Sequence, residues 1–136
     1  MVLAAHVLDS LDASKLKFVT VNGYRTRYYE AGNGEPFVLF HGGHYASLYS
    51  LDSWSLALPP LAERFRVIAV DKPAQGYTDN PPTADKYTFE ELLAHSIAFI
   101  ESVAGGPAHL AGHSRGGLLI AAIALARPDL GGRSSL

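Results

Sequence analysis

Residues 108–117 read Ala-His-Leu-Ala-Gly-His-Ser-Arg-Gly-Gly, and they lead from a short apolar run into a segment of small and aliphatic residues. The spacing Gly112-x-Ser114-x-Gly116 between a strand and a helix is typical of a sharp turn that holds a serine hydroxyl clear of a sheet. We therefore predict a strand at His109–Ala111 and a helix at Gly116–Arg127, with Ser114 as the candidate nucleophile between them.

The two glycines of this motif are expected to have a steric role. At Gly112 and Gly116 a Cβ atom would strike the neighbouring strand or helix. The helix that begins here directs its free amides and the positive end of its dipole towards the serine, so these amides can hold an oxyanion. The hydroxyl itself is a weak nucleophile until a histidine takes its proton and an acid orients that histidine.

Apolar runs upstream of the motif predict strands. Lys17–Glu30 alternates around Asn22-Gly23, a dipeptide that favours the positive φ angles of a tight turn, and this pattern indicates an antiparallel hairpin. Pro36–Phe40 and Arg66–Asp71 are mostly apolar, as expected of parallel strands covered on both faces. A loop rich in proline and glycine follows at Lys72–Pro82.

Helical segments alternate with these strands. Trp54–Phe65 resembles a helix, but Pro59-Pro60 predicts a kink or two short pieces. Thr88-Phe89-Glu90-Glu91 matches a capping box, in which Thr88 accepts from an early amide and Glu91 reaches back. Gly105-Gly106-Pro107 is expected to end the helix that follows. The alternation predicts an α/β fold with a mostly parallel sheet, helices on both faces and an antiparallel hairpin at its start.

The composition excludes several classes of function. The chain has 136 residues, of which 48% are hydrophobic and 18% are charged, which is enough apolar surface for a core. A formal net charge of −2 gives no basic surface for nucleic acid or for an anionic membrane. There is no cysteine, and the six histidines lack metal-ligand spacing, so we expect neither a metal nor a cofactor.

Two segments bear on membrane insertion and targeting. The longest apolar stretch, Leu118–Ala126, is far shorter than the roughly 20 residues needed to cross a bilayer. Met1–Leu8 lacks the basic start and the long apolar core of a secretory signal. The sequence therefore predicts a cytoplasmic protein with no membrane partner.

Five motifs occur in an order that resembles the α/β-hydrolase fold family across residues 17–130. They are Phe40-His41-Gly42-Gly43, Trp54, Val70-Asp71, Gly76-Tyr77-Thr78-Asp79 and Gly112-His113-Ser114-Arg115-Gly116-Gly117. The resemblance implies a small-molecule substrate whose carbonyl is attacked by Ser114. It also implies that the backbone amides of Gly43 and Arg115 form an oxyanion hole.

The identity of the nucleophile narrows the branch of the family. A serine at position 114 argues against haloalkane dehalogenases and epoxide hydrolases, which carry aspartate in the turn called the nucleophile elbow, Gly112–Gly116 in this chain. The serine implies acyl-type chemistry. Leu51–Trp54 together with Gly76–Pro81 is similar to carbon–carbon bond hydrolases that act on meta-cleavage products of aromatic rings. Esterases and cofactor-free haloperoxidases share much of this N-terminal part of the fold. The resemblance therefore implies hydrolysis of an ester or a C–C bond.

The resemblance ends before the positions of the family's acid and histidine. After Arg127–Leu130 the family has an apolar sixth strand, whereas this chain continues as Gly131-Gly132-Arg133-Ser134-Ser135-Leu136. We therefore expect residues 1–136 to form a single, truncated α/β-hydrolase domain. We also expect an open edge on the elbow strand, which favours a homo-oligomer or a complementing chain.

Other histidines and acids of the chain have structural explanations. His41 is expected to have a structural role in the loop that contains Gly43, and His109 lies in a strand. In the usual geometry of the elbow, the side chain of His113 points away from the serine hydroxyl. His44, in the loop that faces the elbow, is the least unfavourable candidate base. Two acids fit a strand end and a turn better than a catalytic role: Asp71 and Asp79.

The sequence is compatible with three functions. The first is a serine hydrolase domain whose isolated chain has little activity. The second is a non-catalytic ligand-binding or interaction module that keeps the fold, and the third is a half-enzyme completed by another polypeptide. Four apolar or aromatic side chains are candidates for pocket walls: Tyr45, Leu48, Tyr49 and Trp54.

Overall fold

A computed structural model of the chain describes the backbone of residues 11–135 and the side chains of residues 11–131. The Met1–Leu8 segment, for which a secretory signal was not expected, lies outside the described residues. Residues 11–135 contain six strands: β1 Leu16–Val21, β2 Tyr24–Ala31, β3 Pro36–Phe40, β4 Arg66–Val70, β5 Ala108–Gly112 and β6 Gly131–Ser135. The α-helices are α1 Leu58–Ala62, α2 Phe89–Phe99 and α3 Arg115–Ala126, and α2 continues into a π-helical turn at Ile100–Ala104. Short 3₁₀ turns lie at Ala13–Lys15, Leu51–Trp54 and Ala84–Lys86.

All six strands form one sheet in the order β1-β2-β4-β3-β5-β6. β1 and β2 form an antiparallel hairpin, β2 also runs antiparallel to β4, and the remaining pairs are parallel. The hairpin turn has positive φ at both Asn22 (52°) and Gly23 (85°), which the Asn-Gly dipeptide accommodates. The predicted α/β fold with its opening hairpin is therefore confirmed.

Apolar side chains on the two faces of the sheet belong to two separate cores. On one face, residues such as Val38 and Ile68 pack against α2 and α3, where Phe99, Leu119 and Ile123 are buried. The opposite face, which carries the neighbouring strand positions, is covered by the Leu51–Trp54 turn and α1. Both faces of β3 and β4 are thus covered, which explains why these strands are apolar throughout.

The helix boundaries follow the predicted signals, with one exception. Pro59 and Pro60 lie in the first turn of α1, where a missing amide hydrogen is tolerated. The predicted helix at Trp54–Phe65 is thus interrupted as expected, but it is reduced to Leu58–Ala62 after a 3₁₀ turn at Leu51–Trp54. The Thr88 hydroxyl accepts from the amide of Glu91 at 3.1 Å, and Gly105 ends the helix at φ 82°. The prediction for the Glu91 carboxylate was wrong: it accepts a hydrogen bond from the Tyr24 hydroxyl at 2.8 Å, because the hairpin packs over the start of α2.

The segment after the elbow helix corrects a second expectation. Gly131–Ser135 forms β6 and pairs in parallel with β5, so the elbow strand does not have an open edge. The prediction failed because β6 has no apolar pattern, and its pairing depends on backbone hydrogen bonds to a strand that lies more than twenty residues earlier. Within residues 11–135, the open edge of the sheet on this side belongs to β6.

The parallel strands bring the candidate site together at one end of the sheet. β3, β4 and β5 are adjacent and run in the same direction, so the loops that follow them meet at their carboxyl ends. These loops contain Gly43, Lys72 and Ser114 respectively. Open α/β sheets typically bind ligands at this position.

Candidate active site

Ser114 lies in the sharp turn between β5 and α3. Its backbone has φ 56° and ψ −113°, a combination that few residues other than glycine adopt. The first turn of α3 is anchored here, because the amide of Gly117 donates to the Ser114 carbonyl at 2.9 Å and the amide of Gly116 donates to the His113 carbonyl at 2.9 Å. The strand–turn–helix context predicted for the Gly-x-Ser-x-Gly motif is present, and the serine side chain is exposed.

The two motif glycines allow close approach of backbones, as predicted. A Cβ atom on Gly112 would collide with the backbone of Gly116, and one on Gly116 would collide with the carbonyl of Phe40 at the end of β3. Helix α3 can therefore rest directly on two strands of the sheet. This contact fixes where the turn lies relative to the loop after β3.

The loop after β3 lies against the elbow. A Cβ atom on Gly42 would be 3.5 Å from the Cβ atom of Ser114, and Gly43 has a φ of 91° that favours glycine. The backbone amides of Gly43 and Arg115 have no hydrogen-bond acceptor among residues 11–135. Two unpaired donors therefore lie next to the serine, on the loop and at the first residue of α3.

Two cavities flank the elbow. A cavity of about 190 Å³ is lined by Gly43 and Arg115 together with Lys72, Tyr45 and other residues of the neighbouring loops. A second cavity of about 440 Å³ contains Ser114 and the aromatic side chains of Tyr49 and Trp54. Three of the four suggested wall residues thus contribute to these cavities, whereas Leu48 is fully exposed and lines neither.

His41 has a structural role in the loop after β3. Its Nδ1 lies 2.7 Å from the Gly42 carbonyl, and its Nε2 accepts the amide hydrogen of Lys72 at 3.1 Å. These partners assign the proton to Nδ1. Burial lowers the pKa of His41 to about 3, so the ring is neutral near neutral pH and joins the loops after β3 and β4.

Lys72 is a functional candidate that the sequence pattern did not reveal. Its side chain is only 1% exposed, and its Nζ donates to the Gly43 carbonyl at 2.9 Å. Burial, and to a lesser extent the nearby Arg115 guanidinium, lower the pKa of Lys72 to about 8. The available signal was a cationic residue two positions after the buried strand β4, at the end of the sheet where the candidate site lies.

No histidine side chain among residues 11–131 is hydrogen-bonded to the Ser114 hydroxyl, and this hydroxyl has no hydrogen-bond partner within the same range. His109 lies 2.7 Å from Glu35 and packs beside Phe37, so it is a structural residue of the sheet. His44 lines the smaller cavity but is exposed, and its side chain makes no hydrogen bond within the described residues. The structure therefore does not bring a base to the serine.

The two acids considered from the sequence have structural partners. The buried Asp71 carboxylate accepts from the Nε of Arg27 and from the amides of Leu51 and Tyr77, each at 2.8 Å. Asp79 accepts from the amide of Arg25 at 2.9 Å. Both carboxylates stabilise loops at the carboxyl ends of the strands, and neither contacts a histidine.

No group of three or more histidine, aspartate or glutamate side chains between residues 11 and 135 is arranged to hold a metal ion. Within the same range, every helix is too short or too polar to span a membrane.

Residues 35–130 match the sequence model of the alpha/beta hydrolase fold family. The chain belongs to this family. Ser114, Gly43, Arg115 and Lys72 all lie within the matched range, whereas the opening hairpin and β6 lie outside it.

Similar proteins within the hydrolase family include members with different chemistry. A 2-hydroxy-6-oxo-6-(2'-aminophenyl)hexa-2,4-dienoic acid hydrolase of Metapseudomonas resinovorans is 38% identical over 102 residues, which are 74% of this chain and 34% of that protein. A meta-cleavage product hydrolase of Pseudomonas fluorescens has a similar structure, with a TM-score of 0.77 and 31% identity over 84% of this chain and 41% of its own. An epoxide hydrolase of Vigna radiata gives a TM-score of 0.78 at 25% identity, over 88% of this chain and 37% of its own. The chain thus spans about a third of the length of the M. resinovorans hydrolase.

Proposed function

We propose that this hydrolase-fold chain carries the nucleophilic half of a serine hydrolase site. The observation that carries the proposal is the strained Ser114 turn with two unpaired amides beside it, at Gly43 and Arg115. In this reaction the serine oxygen attacks a substrate carbonyl carbon, and the two amides hold the negative charge that develops on the carbonyl oxygen. Collapse of the resulting tetrahedral intermediate breaks the bond to the leaving group and leaves an acyl-serine. Water then hydrolyses this acyl-serine.

The proton of the serine hydroxyl must go to a base from outside residues 11–135. No histidine side chain in the described part of the chain is hydrogen-bonded to the Ser114 hydroxyl, so we assign the base and its orienting acid to other residues, in the same polypeptide or on a partner. An unassisted serine hydroxyl is only weakly nucleophilic. We therefore expect little turnover from residues 11–135 without that base.

The substrate class follows from the elbow residue and from the similar proteins. Serine rather than aspartate at position 114 favours acyl chemistry over epoxide opening, despite the structural similarity to an epoxide hydrolase. Two of the similar proteins are a dienoic acid hydrolase and a meta-cleavage product hydrolase. We propose an ester or a C–C bond next to a ketone as the bond that is cleaved, and a cytoplasmic location remains a prediction.

Labelling with a fluorophosphonate serine probe, read by intact mass spectrometry, tests the proposal. The matched control is Ser114→Ala, which removes the hydroxyl and keeps the Cβ atom. Labelling of the unchanged chain that disappears in Ser114→Ala would support an activated serine. A folded chain that remains unlabelled, even when the C-terminal part of a similar hydrolase is supplied as a separate polypeptide, would contradict the proposal.

A non-catalytic ligand-binding module is the second candidate, and the lack of a base beside Ser114 favours it. In that case a ligand would bind saturably to both the unchanged chain and Ser114→Ala, with no hydrolysis in either.

A half-enzyme completed by a second polypeptide is the third candidate, and the open edge of β6 favours it. An unpaired strand edge accepts a further strand, so a complementing polypeptide could pair there. Activity that returns when a complementary C-terminal polypeptide is added would support the half-enzyme. A monomer that neither self-associates nor binds such a polypeptide would exclude pairing through this edge.

A further inference from the structure

Two cationic side chains line the smaller cavity beside the elbow. Lys72 is buried against the loop after β3, where its Nζ lies 2.9 Å from the Gly43 carbonyl. Arg115 extends from the first residue of α3 and lines the same cavity, with its side chain exposed. Both cations are therefore next to the two unpaired amides of the elbow.

Neither cation has a carboxylate partner among the residues whose side chains are described. The ion pairs of residues 11–131 involve other basic residues, such as Arg27, Arg66 and Arg127. The Lys72 ammonium has three hydrogens, and the Gly43 carbonyl accepts only one of them. A buried cation without a counter-charge is unfavourable, and a second cation nearby makes it more so.

We propose that Lys72 and Arg115 form a subsite for a carboxylate group on the substrate. A carboxylate in this cavity would neutralise both cations, accept the free hydrogens of the ammonium and pair with the planar guanidinium through two parallel hydrogen bonds. The remaining walls include the rings of Tyr45, Tyr87 and Phe89, which suit a short apolar linker. The substrate is then an anionic compound with its carboxylate close to the bond that is cleaved.

The position of the carboxylate relative to the cleaved bond depends on the proposed function. Lys72 is bonded to the carbonyl of Gly43, the residue whose amide we assign to the oxyanion hole, so the subsite and the hole share one residue. The lysine charge could instead assist the oxyanion alone. That role would affect neutral and anionic substrates equally, whereas a carboxylate subsite distinguishes between them.

Binding of pentanoate and of its neutral isostere pentanamide tests the subsite without any need for turnover. Both dissociation constants are measured by calorimetry in a Ser114→Ala chain at pH 7. We expect pentanoate to bind about tenfold more tightly or better, since hydrogen bonds to charged groups are strong. Lys72→Met and Arg115→Gln, each added to Ser114→Ala, should remove most of this preference, and Arg115→Lys should retain part of it.

Arg127→Gln is the matched control, because Arg127 is a cation paired with Asp129 and Glu101 at the surface, away from the cavity. It should leave the preference unchanged. Equal binding of the two compounds, binding of neither, or a preference that survives both Lys72→Met and Arg115→Gln would overturn the subsite. Arg115 is exposed, so Arg115→Gln is informative even if Lys72→Met fails to fold. A failure of serine labelling with intact pentanoate preference would contradict the hydrolase proposal alone.

Discussion

At the scale of single residues, Ser114 stores backbone strain at the candidate site. Its φ of 56° with ψ of −113° lies outside the common regions for a residue with a Cβ atom, and such conformations cost about 1–3 kcal/mol. The packing of α3 against β3 and β5 holds the turn in place. This strained conformation places Ser114 before the first residue of α3 and leaves its hydroxyl exposed.

Glycine at position 114 should relieve this strain. We expect Ser114→Gly to raise the free energy of unfolding by about 1 kcal/mol, since glycine tolerates positive φ. Ser114→Ala keeps the Cβ atom and should change it by less than about 0.5 kcal/mol. Urea denaturation of the three chains measures both values, and equal stabilities of the glycine and alanine variants would contradict the strain assignment.

Lys72 should lower stability near neutral pH. Its pKa falls from 10.5 to about 8 in the folded chain, so protonation of the buried amine opposes folding. Lys72→Met should therefore raise the free energy of unfolding at pH 7, by up to about 3 kcal/mol, because one pKa unit corresponds to about 1.4 kcal/mol.

The destabilising effect of Lys72 should decrease as pH rises towards the ordinary lysine pKa. Between pH 8 and 10 the unfolded chain keeps a proton on Lys72 that the folded chain has lost, so the folded state gains stability as pH rises. The difference between Lys72→Met and the unchanged chain should shrink over this range. A difference that stays constant from pH 7 to 9.5 in denaturation measurements would show that the lysine is not destabilised by burial.

At the scale of elements, the contact of α3 with the sheet depends on glycine. Gly116→Ala would place a methyl group against the Phe40 carbonyl, which cannot move without breaking the register of β3. We expect a loss of about 2–4 kcal/mol or more in the free energy of unfolding, as for overpacked cores, and a loss of serine labelling.

Gly105→Ala is the comparison variant for this contact. Gly105 also has a positive φ, of 82°, but a Cβ atom there meets no other group within 4 Å. Its loss should be limited to about 1–2 kcal/mol of backbone strain. Thermal or denaturant unfolding that ranks Gly105→Ala as the more damaging of the two would exclude the steric explanation.

The same elements show which features a sequence can reveal. The Asn22-Gly23 turn, the Thr88 cap and the Gly-x-Ser-x-Gly turn are local, and the structure has each where it was predicted. β6 and the Tyr24–Glu91 hydrogen bond depend on contacts distant in sequence, and no local pattern encodes them. Likewise, Lys72 resembles a loop lysine in the sequence, because its burial results only from the meeting of two loops.

At the scale of the whole molecule, two buried neutral histidines connect separate parts of the fold. His41 joins the loops after β3 and β4, and His95 on α2 lies 2.9 Å from the Thr26 hydroxyl on β2. Burial lowers the pKa of His41 to about 3 and that of His95 to about 4. Both rings must gain a proton and a charge on unfolding in mild acid, so acid should weaken both regions together.

The free energy of unfolding should therefore fall between pH 6.5 and 4.5, before most carboxylates titrate. In this range the unfolded chain binds protons at both histidines and the folded chain does not, so stability falls as pH falls, by up to about 1.4 kcal/mol per pH unit for each histidine. His95→Gln should remove about half of this slope, and His44→Gln, a change at an exposed position, should leave it unchanged. Urea titrations at four pH values measure the slope. A slope that His95→Gln does not reduce would mean that His95 is already charged in the folded chain, and that its contact with Thr26 does not depend on a neutral ring.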